Sequence, residues 1–307
     1  MSYNKLFYSF LFLFCVNYYV SSQDRSHYCF PILDSLVELE QYREAIKELK
    51  SRDSLSNDDL YSLAVCYSKT GNYQISQSYL VDFINKMPYS FSPQIFLDYR
   101  IEDLRKSDKW NYVYDKLIGK FLMESGQIKD TTLAISLFLH GIKDQKYRGL
   151  IHSQPIMKGG EFAGKVMTTE NVDSINTVFL DSVVNKIGWP TYSMVGKISG
   201  NYAFYIMQHS DKKHLKRYVP LMEKAVLKYE ADKFLWAMAY DRLRRYCNKK
   251  QIYGTQYFSK IIDGKMQPNE LQPTKNRKNI NQIRKDFGFT TTVEEEIVKY
   301  NKMYGIK

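Results

Sequence analysis

Apolar residues recur at helical spacing along most of this chain, and that periodicity limits the folds open to it. Leu60, Leu63, Ala64, Tyr67, Ser76, Leu80 and Pro88 mark out one helix, a turn at Gly71 and a second helix. Residues 131–146, 172–186, 201–209, 212–229, 232–247 and 293–303 also show three-to-four-residue spacing. Asn201, Asp211 and Asp232 stand where N-caps belong. Only 252–262, followed by Asp263-Gly264 and Lys265, reads as a small β-hairpin, because Asp-Gly favours a tight turn. The fold class expected is mainly α.

The spacing over 57–90 resembles the tetratricopeptide repeat. Cys29, Ile32, Leu33, Leu36, Tyr42, Ala45 and Leu49 fill the same slots one repeat earlier, and Trp110, Tyr114, Leu117 and Phe121 suggest further helices. One such helix pair cannot bury its apolar face alone, so neighbours must stack, and a stack offers a surface for a protein or peptide partner. The same stack can equally serve to buttress the next domain. The domains expected are a leader over 1–23, repeats over 26–125 and a helical domain over 130–307.

The leader is read from Lys5, the apolar run from Leu6 to Val20, and the small residues Ser21 and Ser22. This pattern predicts a secretory signal peptide and an exported protein, bacterial and periplasmic or extracellular, with no transmembrane helix in the mature chain. Cys29, Cys66 and Cys247 then remain, too few for a disulfide framework and without C-x-x-C spacing, so they read as small apolar residues.

Net charge separates the halves. Residues 1–130 sum to −2 and residues 131–307 to +13, within a total of +11. The basic residues gather at 212–217, 242–250 and 275–285, where Arg284 is counted among them. Such a surface suits an anionic envelope polymer, or is simply a solvated face. Nucleic acid is not expected in an exported compartment.

Short polar motifs are strung along the second half: Asp144-Gln145-x-x-Arg148, Asp173-x-x-Asn176, Gly188-Trp189-Pro190, Gln208-His209-x-Asp211, Asp241-Arg242, Gln251-x-Tyr253-Gly254-Thr255-Gln256 and Asn281-x-x-Arg284. In this order they resemble a widespread bacterial domain family of unknown function, over about residues 130–290. The resemblance implies a shared fold and a shared site, but no reaction.

Asp144 and Arg148 are four apart on one helix face, where they can pair. Asp241-Arg242 lies in a helix apolar almost all round, so both need partners in the interior. They form either a structural network or a polar pocket. His209, at a helix C-terminus, would act as a general base if a carboxylate oriented it; Asp241 is the candidate, since Asp211 reads as a cap. The loop with Gln251, Tyr253, Thr255 and Gln256 offers donors around Gly254, either for a ligand or to cap Asp241.

His209, Asp211 and His214 do not share a helix face, and no H-E-x-x-H is present, so no metal and no cofactor is expected. G-x-S-x-G, P-loop and G-x-G-x-x-G patterns are absent too. These observations favour a binding protein whose ligand contacts come from Asp144, Gln145, Arg148, Gln208, His209, Asp241, Arg242, Gln251, Tyr253, Thr255 and Gln256. The alternative is a hydrolase of a cell-envelope substrate with His209 as base.

Overall fold

The computed structural model describes residues 35–86, 94–146, 169–262, 265–303 and 306. The leader, Cys29, Ile32, Leu33, Pro88, Arg148 and the Asp263-Gly264 turn lie outside the described residues. The chain divides into two compact units, with the division at Gly126/Gln127.

The first unit is helical throughout its described length. It contains α1 (Ser35–Glu38), α2 (Tyr42–Lys50), α3 (Asn57–Lys69), α4 (Tyr73–Lys86), α5 (Gln94–Leu97), a 3-10 turn (Tyr99–Ile101), α6 (Glu102–Arg105) and α7 (Trp110–Ser125). Ser56 starts α3 with a capping box: its hydroxyl accepts from the Asp59 amide, and Asp59 accepts from the Ser56 amide. Gly71, at φ +79°, makes the turn into α4. Leu49, Leu63 and Tyr67 join α2 to α3 in an apolar cluster. Ser76 Oγ donates to the Ala64 carbonyl at 2.6 Å, a buried cross-link between α3 and α4. Asp98, fully buried, accepts from Tyr61 and from the Arg100 guanidinium, so its charge is satisfied inside the unit.

The second unit contains α8 (Thr131–Lys146), α9 (Thr169–Ile187), α10 (Tyr192–His209), α11 (Lys212–Val226) and α12 (Lys233–Tyr246). Four two-residue strands follow, β1 (Tyr257–Phe258), β2 (Ile261–Ile262), β3 (Lys265–Met266) and β4 (Glu270–Leu271), then α13 (Ile280–Phe287) and α14 (Val293–Met303). β2 pairs antiparallel with β3, and β1 pairs antiparallel with β4 around them. The fold is therefore mainly α with a small hairpin, and the strands are shorter than the sequence suggests. Residues 252–256 do not pair as a strand: Asp241 takes the amides of Ile252, Tyr253 and Thr255, and Gln251 Oε1 takes that of Gln256.

α8 and α10 pack closely in this unit. Gly141 lies under the Tyr202 ring, where a Cβ would come within 2.0 Å of it. Ser199 Oγ donates to the Ala134 carbonyl at 2.7 Å. α10 begins at Tyr192, nine residues before the position that spacing suggests, and is kinked at Gly196 (φ +77°). Asn201 is consequently not an N-cap; it lies inside α10 and accepts from Tyr192 Oη at 2.8 Å. Asp211 and Asp232 do cap α11 and α12. Among the described residues, no helix is long and apolar enough to cross a membrane.

Candidate functional site

The polar motifs of the second half resolve into two clusters with different surroundings. One is sealed in the interior; the other opens to solvent.

The sealed cluster is built on α12. Asp241 is fully buried and accepts from the Ile252 amide (2.7 Å), the Tyr253 amide (3.0 Å) and the Thr255 amide and hydroxyl (3.2 and 3.0 Å). Burial pushes its carboxyl up, against the downward pull of these donors. Gln251 fixes the loop to itself. Its side chain donates to the Gln256 and Gln272 carbonyls and accepts from the Gln256 amide. Gln256 donates to the Met238 carbonyl of α12.

Arg284 of α13 holds the same loop from the other side. It donates to the carbonyls of Tyr253 and Gly254, and pairs with Glu296 of α14 at 2.5 Å. Arg284 is buried, so it does not belong to the basic surface in which the sequence counts it. Gly254 needs its missing side chain twice over: φ is +67°, and a Cβ would meet Val293 Cγ1 at 2.9 Å. Tyr253 packs in an aromatic group with Trp236, Tyr240 and Phe287. Arg242 is half-buried with its guanidinium over the Tyr246 ring. Asp241, Gln251, Thr255 and Gln256 thus form a network that shapes the loop, rather than groups presented to a ligand.

The open cluster lies where α8, α9 and α10 meet. His209 closes α10, and its Nδ1 is 2.6 Å from Asp144 Oδ1 on α8. Both side chains are buried, 4% and 0% exposed. The carboxylate that orients His209 is therefore Asp144; Asp241 is committed to the loop amides and does not serve as the orienter. Asp173, on the first turns of α9, brings a third donor: its oxygen, an Asp144 oxygen and a His209 nitrogen all lie within 4.8 Å of one another.

A cleft of about 520 Å³ opens beside them. One wall is the face of α9 bearing Asp173, Thr177, Asp181 and Asn185, with Ser174, Val178 and Ser182 at its edges. The other wall is the corner between α10 and α11, with His209, Ser210, Asp211 and His214. Asp181 accepts from Arg217 (2.5 Å) and Tyr218 (2.7 Å), and Arg217 also donates to Asn185. His214 Nδ1 is 2.7 Å from Asp211 Oδ1, which also accepts the His214 amide. That amide, then the ring, holds the Asp211 carboxyl below the usual carboxylate range.

Of the described residues expected in the site, only His209 lines the cleft, and Asp144 bonds it from behind, fully buried. Gln208 is buried, and its Oε1 has no hydrogen-bond partner among the described residues. The Gln145 side chain and all of Arg148 lie outside the described residues. Asp173, Thr177, Asp181 and Asn185 lie outside the set expected in the site, although their four-residue spacing is a polar stripe visible in the sequence. Asn176, in the same motif as Asp173, is instead structural: it is buried and bonds both the His140 ring (2.8 Å) and the His140 carbonyl.

No curated protein and no solved structure matches the chain. The match of the family described as a family of unknown function, DUF6624, runs over residues 151–307, more than half of the chain, and includes His209, Asp211 and the α9 stripe, so the chain belongs to that family.

Proposed function

We propose that this chain is an exported binding protein whose second unit holds a polar ligand in the cleft between α9 and the α10–α11 corner. The observation that carries this reading is the cleft lining, where Asp173, Asp181 and Asp211 stand among serine and threonine hydroxyls. Carboxylates and hydroxyls in a partly enclosed space accept hydrogen bonds, so the ligand class is one rich in donors, such as amino sugars or short peptides of the envelope. The leader-like start of the sequence supports export, and the helical hairpins of the first unit support a protein or peptide contact. The basic excess of the second half supports adhesion to an anionic polymer.

Val178 lies on the cleft edge and is 69% exposed. Val178→Trp would fill the cleft at little cost to the core. Titration of soluble cell-wall fragments into the full chain, followed calorimetrically, should show binding that this variant loses while its melting temperature stays put. Equal binding by the variant would remove the cleft from the function. Mass spectrometry of the secreted chain should find a mature N-terminus near residue 23.

One observation favours a second reading, a hydrolase with His209 as base: the Asp144–His209 pair supplies the orienting carboxylate such a base needs. The nitrogen that would take the proton is then Nε2, and it is buried. This reading therefore needs the cleft to open onto Nε2. Turnover of a wall fragment, abolished in His209→Gln, is the result that would favour it.

A further inference from the structure

We infer that Asp144, Asp173 and His209 form a binding site for one divalent transition-metal ion at the wall of the cleft. Three helices contribute one donor each, from positions far apart in the chain: α8 gives Asp144, α9 gives Asp173 and α10 gives His209. Their ligand atoms lie within 4.8 Å of one another, so a closing movement of a few tenths of an ångström brings all three inside the ~4.4 Å that donors on one cation can span with bonds of about 2.2 Å.

The orientation of the imidazole supports this assignment. Nδ1 faces the Asp144 carboxylate at 2.6 Å, while Nε2 is buried. The ring thus offers the carboxylates the nitrogen a shared cation would use, and a cation would take the place of the proton between Nδ1 and Oδ1. Asp144 is a fully buried carboxylate, a costly group that metal coordination can stabilise. Asp173 and His209 are partly buried, and both line the cleft. Two carboxylates and one imidazole suit zinc or manganese, and three protein ligands leave positions free for water or a ligand group on the cleft side. The site is independent of which ligand the cleft takes, because the ion can be measured with no ligand present.

The test uses the untagged full chain, stripped with a chelator and titrated with Zn²⁺ and, separately, Mn²⁺. Calorimetry, with metal content after dialysis as a second readout, should show one ion per chain and a raised melting temperature. Asp173→Asn should weaken binding at least ~10-fold, since losing even a partner behind a metal ligand acts on a scale of about 10–100-fold, with unchanged circular dichroism in the metal-free state. His209→Gln should do the same. Asp144→Asn is a poorer probe, since its burial couples it to folding. Absence of saturable one-to-one binding would overturn the site, as would binding that Asp173→Asn and His209→Gln leave unchanged. Neither result bears on fragment binding, which Val178→Trp reads separately.

Discussion

Asp241 shows how one side chain can set the path of a loop. Four donors from residues 252–255 end on its two oxygens, and no strand ladder competes for them. Asp241→Ala would strand buried amides, each costing about 1–3 kcal/mol, so the second unit should lose more than ~3 kcal/mol in urea unfolding. A loss under ~1 kcal/mol would mean that water replaces the carboxylate. Asp232 makes a different prediction. Burial raises its carboxyl from 3.8 to about 6, although the Phe234 and Leu235 amides donate to it. Between these values the folded chain keeps a proton that the unfolded chain releases, so stability falls as pH rises through that window. Asp232→Asn keeps a capping oxygen that cannot ionise. Its urea midpoint should change less between pH 4 and 6.5 than that of the parent; equal slopes would exclude Asp232 as the source.

At the scale of elements, the α8–α10 crossing decides whether the open cluster exists. Asp144 and His209 sit at the C-terminal ends of these helices, so their 2.6 Å contact depends on how closely the helices pack. Gly141 sets that approach by leaving room for the Tyr202 ring. Gly141→Ala would push the ring or the helix away. Overpacking of this kind costs about 1–3 kcal/mol, which should exceed the ~1 kcal/mol that alanine gains as a helix former. The variant should melt lower than the parent; a higher melting temperature would show that the Tyr202 ring moves aside freely. The break at Gly196 has a similar role: its non-helical backbone joins a short first segment from Tyr192 to the main segment that ends with His209 beside α8.

For the whole molecule, the limits of the folding unit and of the family match differ. The match starts at residue 151, yet the compact unit includes the described residues 127–146, and with them α8. α8 supplies Ala134, Leu137 and Phe138 to the core as fully buried side chains. A fragment of residues 127–307 should therefore unfold cooperatively with high helicity. One of residues 151–307 should lack a cooperative transition and bind hydrophobic dyes, because the α10 face that meets α8 is exposed. Cooperative unfolding of the shorter fragment would show that α8 is dispensable.

Helical periodicity is a local property, so the sequence by itself determined the mainly α class, the ends of α8 and α14, and the caps at Asp211 and Asp232. It also marked Asp241 as buried, because the apolar residues around it leave no solvent face. The pairing of polar residues was decided only in three dimensions. Spacing along the helix offers Arg148 as the partner of Asp144, and the sequence offers Asp241 to His209; the structure joins Asp144 to His209 across 65 residues. Glycine at 141 and 196, ordinary within a helical pattern, fixes a close approach and a bend that no spacing rule expresses. A partner's identity depends on which helix faces meet, and that is set by the summed packing of the whole unit rather than by any segment of it.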